Sequence, residues 1–235
     1  MTARPPEISP TRAAGGGAPR ADAKGVVLAR IRAALGPAAP AMPAVPREYA
    51  THGAVPPGDP AVLDLLAHRL EDYRAVVLRC APDDLAATVA QALVGRGARR
   101  IVVPHGLEAA WLAARWDGEA LRDSPDRPLP VTTLDAVHGV VTECAVAIAE
   151  TGTIALDSSP RCGRRAITLV PDYHLIVVRA DQVVASVPEG LARLDPQRPI
   201  TLISGPSATS DIELDRVEGV HGPRTLDVVI VEPAG

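Results

Sequence analysis

Ala147-Ile148-Ala149-Glu150-Thr151-Gly152-Thr153-Ile154-Ala155-Leu156-Asp157 sets two short apolar runs of strand type around one acidic, hydroxyl-bearing, glycine-containing turn. A carboxylate between apolar flanks is costly to bury without hydrogen bonds, so Glu150 must either reach solvent in a cleft or have fixed partners. Gly152 opens backbone conformations closed to other residues, and Thr151 and Thr153 place hydroxyls beside it. The plain alternative is an ordinary hairpin with a solvated acid at its tip.

Working outward from that turn, strand-like runs come close together: Val131-Thr132-Thr133, Ala145 to Ala149, Thr153 to Leu156, Ala166 to Val170 and His174 to Val178. Such density leaves no room for a helix between every pair, so part of this half is expected to be antiparallel or hairpin-linked. A helix is expected from about Pro188 to Leu194, and the last strands are Ile200 to Ile203 and Leu226 to Val231. Upstream the rhythm differs. Asp59-Pro60 opens a helix striped by Leu63, Leu66 and Leu70, and the strand Ala75 to Leu78 follows. Asp83 and Asp84 open a helix through Leu85, Val89, Ala92 and Leu93, then come the strand Arg100 to Val103 and a helix through Leu107, Trp111 and Leu112. This alternation predicts an α/β fold with a mixed, largely parallel sheet and helices on both faces.

Before that core, residues 1–24 are rich in Pro, Gly, Ala and Arg and are expected to be a disordered tail. Val26, Val27, Ile31 and Leu35 recur at helical spacing up to Gly36-Pro37. Prolines then recur up to Pro60, which predicts an extended surface strap. The expected organisation is thus a tail over 1–24 and one domain over 25–235, its helix and strap occupying 25–60 and its α/β core 61–235.

Composition narrows the function. The chain has 235 residues, net charge −4 and no Phe, with Trp 2 and Tyr 3, so it offers neither a basic footprint nor stacking platforms for nucleic acid. It has no apolar run of membrane-spanning length and no apolar leader segment, which points to the cytoplasm. Cys80, Cys144 and Cys162 are too scattered for a disulfide framework or a thiolate-bound metal, and are expected to be isolated reduced thiols.

Besides the Glu150 turn, three loops carry chemistry. Arg161-Cys162-Gly163-Arg164-Arg165 offers guanidinium groups suited to a carboxylate or phosphate, or is simply a solvated surface loop. Ser204-Gly205-Pro206-Ser207-Ala208-Thr209-Ser210-Asp211-Ile212-Glu213 follows a strand, where backbone N–H groups and small hydroxyls receive anions, or else it caps a short helix. Gly219-Val220-His221-Gly222-Pro223 is a tight turn whose His221 is an acid, base or ligand candidate, or a structural histidine. The sequence contains no Gly-x-Gly-x-x-Gly between strand and helix, no phosphate-binding Gly-x-x-x-x-Gly-Lys-Ser/Thr loop, no His-Glu-x-x-His and no Gly-x-Ser-x-Gly elbow.

Taken in order, Ala149-Glu150-Thr151-Gly152-Thr153-Ile154, Arg164-Arg165, Leu169-Val170-Pro171 with His174, Ser204-Gly205-Pro206-Ser207-x-Thr209-x-Asp211-Ile212-Glu213 and Gly219-Val220-His221-Gly222-Pro223 resemble the LUD domain of lactate-utilisation protein C. The resemblance runs from about Val26 to the end of the chain, and the tail before Gly25 has no counterpart in it. It implies a fold akin to the NagB/RpiA/CoA-transferase group. It also implies a part in oxidising L-lactate to pyruvate together with two partner subunits that carry iron–sulfur clusters. No cofactor is expected in this chain itself.

The site expected on that basis brings distant turns to one rim of the sheet around a small carboxylate. Arg164 or Arg165 clamps it, Ser207 and Thr209 orient it, and Glu150 with His221 handles protons. Thr151, Gly152, Thr153, His174, Ser204, Gly205, Asp211 and Gly222 complete the pocket. Two other readings remain open: a self-sufficient transferase with Glu150 as nucleophile, or isomerase, of the same fold acting on an anionic substrate, and a non-catalytic interaction module.

Overall fold

The structure, a computed structural model, describes residues 22–36, 44–46, 48, 53, 55–112, 116–209, 217–218 and 222–233. The chain divides into two compact units, Met1–Glu48 and Tyr49–Gly235. In the first, helix α1 (Ala23–Leu35) is the helix expected from the Val26 to Leu35 spacing, and it stops at Gly36 with φ 71°. Val26, Val27, Ile31 and Leu35 are all exposed. Residues 1–21 of the expected tail, and most of the proline-rich strap, lie outside the described residues; the last two residues of the expected tail, Ala23 and Lys24, are the first turn of α1 rather than disordered chain.

The second unit starts as the sequence predicts. Asp59 accepts a hydrogen bond from the Ala61 N–H at 2.8 Å and Pro60 fills the first helical position, so α2 (Pro60–Asp72) begins where its donors are satisfied. Val62, Leu63, Leu66, Ala67 and Leu70 are its buried stripe. Next come β1 (Val76–Cys80), α3 (Leu85–Gly95) and β2 (Arg100–Pro104). Where a helix is expected through Leu107, Trp111 and Leu112, the described residues form a 3-10 turn at Ala109–Trp111, residues 113–115 lying outside them, and an unanticipated strand, β3 (Glu119–Asp123), follows.

Two runs read as strands are helical. Val131-Thr132-Thr133 opens α4 (Val131–Asp135), because Pro130 precedes it and the Pro130 carbonyl accepts from both Thr133 and Leu134. Of the run Ala166 to Val170, all but the capping Val170 lies in α5 (Arg165–Leu169), which buries Ile167 and Thr168 and leaves Arg165 exposed. A strand absent from the sequence reading, β4 (Gly139–Glu143), lies between them and is wholly buried. The remaining elements are β5 (Val146–Ile148), β6 (Thr153–Leu156), β7 (Tyr173–Arg179), β8 (Val183–Val184), α6 (Val187–Ala192), β9 (Thr201–Ile203), β10 (Ala208–Thr209), β11 (Val217–Glu218) and β12 (Thr225–Val231).

Six strands form a central sheet in the order β1-β12-β7-β4-β2-β3, every neighbouring pair parallel. A second sheet has the order β8-β5-β6-β9, with β5/β6 and β6/β9 antiparallel, which is the hairpin-linked part expected of this half. β10 and β11 form a separate antiparallel pair. Alternate residues of the parallel strands face opposite layers. Leu175, Val177, Val229 and Val231 pack with α3, while Ile176, Val178, Val228 and Ile230 pack with α2 and the inner face of the small sheet. The outer face of that sheet, through Val146, Ile148 and Ala155, packs with Val184, Val187 and Leu194. The architecture is therefore a largely parallel α/β sheet covered on both faces. Among the described residues no helix is long and apolar enough to cross a membrane.

Candidate functional site

The Glu150 turn is the tip of the β5/β6 hairpin. Gly152 has φ 61°, and a Cβ there would lie 2.7 Å from Arg69 Cβ on α2. Gly205, after β9, has φ 88°, and its Cβ would come within 2.6 Å of Tyr73 Cβ at the end of the same helix. Two glycines far apart in sequence thus let one helix end press on both turns. The turns consequently meet: Thr151 Oγ1 lies 2.8 Å from Thr153 Oγ1, which lies 2.8 Å from Ser204 Oγ.

Ser204 belongs to a cavity of about 220 Å³ at the amino ends of β7 and β12. Its wall includes Thr168, His174, Gly205, Ser207, Gly222 and Pro223, contributed by α5, β7, the loop after β9 and the approach to β12. The Ser207 N–H donates to the Pro223 carbonyl at 2.9 Å, which ties two of these segments together. His174 is 1% exposed. Its Nε2 is hydrogen-bonded to Thr142 Oγ1 at 2.9 Å, while Nδ1 is buried without a partner among the described residues. Burial pushes its pKa down to about 3, so the ring is neutral near pH 7. A neutral imidazole with one uncommitted nitrogen, beside small hydroxyls, is equipped to hydrogen-bond a hydroxyl or carbonyl oxygen.

The other nominated residues fall elsewhere. Glu150 is exposed and lines a different opening with Arg69, Asp72, Tyr73 and Thr151. Arg164 lies at the opposite, carboxyl end of the sheet. Its Nε and Nη2 grip buried Asp123 at 2.9 Å, and Nη2 also donates to the Leu129 carbonyl at 2.7 Å. Arg165 is exposed on α5. The convergence expected at a single rim is thus met by His174, Ser204, Gly205, Ser207 and Gly222, adjoined by Thr151 and Thr153, and not by Glu150 or the arginine loop. Asp211 and His221 lie outside the described residues, as does the side chain of Thr209. Thr142, which holds His174, and Thr168 carry no signal in the sequence; Thr142 enters because the sheet register places Val140 beside His174, and Thr168 because α5 sets it on the cavity wall.

Cys80 is partly exposed, and Cys144 and Cys162 are buried free thiols. Burial raises the Cys162 thiol to about 11 and the Cys144 thiol also well above its ordinary value. Among the described residues no group of three His, Cys, Asp or Glu is placed to hold a metal ion.

Comparison with known proteins matches the LUD domain to residues 133–231, which hold β4, β7 and β12 of the central sheet, the whole second sheet and the cavity around His174. Over 174 residues the chain is 48% identical to the Lactate utilization protein C of Deinococcus radiodurans, covering 72% of this chain and 79% of that relative. The chain belongs to the LUD domain family. The proteins of the same name in Bacillus subtilis and Shouchella clausii are each 29% identical, over 54% and 52% of their lengths. A crystal structure of a DUF162 family protein from Deinococcus radiodurans superposes with a TM-score of 0.60 at 40% identity, covering 73% of this chain and 96% of that one. This LUD fold and the expected largely parallel α/β architecture agree.

Proposed function

We propose that this LUD chain serves the oxidation of L-lactate to pyruvate as a subunit that holds the small acid, while iron–sulfur partner subunits carry the electrons. The likeness to a protein named Lactate utilization protein C, across 79% of that relative, supports the pathway. The observation that carries the site is a cavity of about 220 Å³, a size suited to an acid of a few heavy atoms, lined by His174, whose Nδ1 is buried without a hydrogen-bond partner among the described residues. In this reading Nδ1 bonds the hydroxyl or keto oxygen, and Ser204 and Ser207 orient the carboxylate. His221, next in sequence to Gly222, exchanges the proton. The hydroxyl series Ser204, Thr153, Thr151 links the cavity to the opening lined by Glu150, which supports a proton route to solvent.

Oxidation of a 2-hydroxy acid to a 2-oxo acid releases two electrons, which is the task left to the partners. The reading is tested by affinity purification from the native host. Proteins containing iron and acid-labile sulfide should come along, and deletion of the gene should abolish growth on L-lactate but not on pyruvate. Normal growth of the deletion strain on L-lactate would overturn the reading.

A further inference from the structure

A second cavity, of about 180 Å³, lies at the other end of the central sheet. Ligands of open parallel sheets collect outside the carboxyl ends of the strands, and the cavity lies there, over β2 and β3. His105 directly follows β2, Asp123 ends β3, and the loop 157–164 covers the gap. That loop is pinned just after β2 and at the end of β4. The Gly106 N–H donates to the Pro160 carbonyl at 2.8 Å, the Glu143 N–H to the Arg161 carbonyl at 3.2 Å, and Arg161 Nη1 to Glu143 Oε2 at 3.0 Å. Arg179, from the end of β7, donates to the same Glu143 oxygen at 2.6 Å.

Within the pinned loop Ser158 adopts φ 58°, a left-handed conformation costly for a residue with a Cβ and retained where the surroundings enforce it. Ser158 and Ser159 face the cavity together with His105, Pro125 and Arg164. Asp123, 3% exposed, fixes the Arg164 guanidinium through Nε and Nη2. Arg164 Nη1 makes no hydrogen bond among the described residues, and neither does the exposed His105 ring. A planar donor held rigid by a buried acid, with an imidazole on the same small cavity, is preorganised for an oxyanion.

We infer that this carboxyl-end cavity binds the carboxylate of a small organic monoacid, with Arg164 and His105 as donors and Pro125 against its apolar body. Asp123 already neutralises Arg164, which disfavours a doubly charged phosphoryl group and leaves the hydrogen-bonding edge for a monoanion. The inference stands apart from the cavity around His174 and does not need the lactate reading.

Calorimetric titration of the full chain with propionate, and separately with inorganic phosphate, tests it. Propionate should bind at millimolar concentration and phosphate should not. His105→Ala should weaken propionate about five-fold, the worth of one hydrogen bond. Pro125→Trp, at an exposed position, should abolish binding while leaving the circular dichroism spectrum unchanged. Ser207→Trp, which fills the other cavity, should have no effect. Absence of propionate binding, tighter binding of phosphate, wild-type affinity in both His105→Ala and Pro125→Trp, or loss of binding in Ser207→Trp would each overturn the assignment.

Discussion

His174 is the residue on which the proposed site turns, and its burial has a consequence for stability. The unfolded imidazole titrates near 6.5, whereas the folded one is held down to about 3 by desolvation. Between those values the unfolded chain binds a proton that the folded chain does not, so stability is complete above the higher value and falls as pH drops below it. The slope approaches about 1.4 kcal/mol per pH unit in that window. Urea unfolding at pH 7.5 and 5.0 should therefore give a lower midpoint at pH 5.0, and His174→Gln should remove a large part of the difference. Equal pH sensitivity in the variant would mean that other groups dominate acid unfolding. In the sequence His174 is visible only as part of a motif after Pro171, because nothing local reveals that Thr142, thirty-two positions earlier, is its partner. Ser204, Ser207 and Gly222 are legible for a different reason: small and glycine-bearing turns advertise themselves.

Among the elements, α5 shows why local reading stops short. Ala166 to Val170 is a short apolar run, and such runs do not separate a buried strand from a buried helix turn by periodicity. The helix shows only in the fold, where Ile167 and Thr168 are its buried face and Arg164, the residue before it, meets Asp123 from β3, forty-one positions away. β4 was hidden similarly, since Gly139 to Glu143 runs almost directly into Val146 to Ile148 and the two strands join different sheets. The Arg164–Asp123 pair should be a strong structural contact. Arg164→Gln strands a carboxylate that is 3% exposed, so it should destabilise the chain by roughly 2–4 kcal/mol, less than a fully buried pair because Arg164 itself reaches solvent. Adding Asp123→Asn should recover part of that loss. A shift of less than about 0.5 kcal/mol in Arg164→Gln, the range of an ordinary surface change, would contradict a structural role for the pair.

For the whole molecule, the alternation of strands and helices makes the α/β class legible, and the crowding of strands after Pro130 makes the antiparallel second sheet legible. Strand order is not, because β12 inserts between β1 and β7 although most of the chain separates it from β1. That order is what divides the nominated residues between the two ends of the central sheet. It leaves His174, the serines and Gly222 together at the amino ends, and sends Arg164 to the carboxyl ends. On the function proposed above, the amino-end cavity holds the small acid. Calorimetric titration of the full chain carrying Pro125→Trp, which closes the carboxyl-end cavity, with L-lactate and pyruvate measures it, compared with the same chain after His174→Gln or Ser207→Trp is added. At least one of the two acids should bind the Pro125→Trp chain at millimolar concentration, more weakly with His174→Gln, and not at all with Ser207→Trp. Undiminished binding on adding Ser207→Trp, or no binding of either acid to the Pro125→Trp chain, would contradict it.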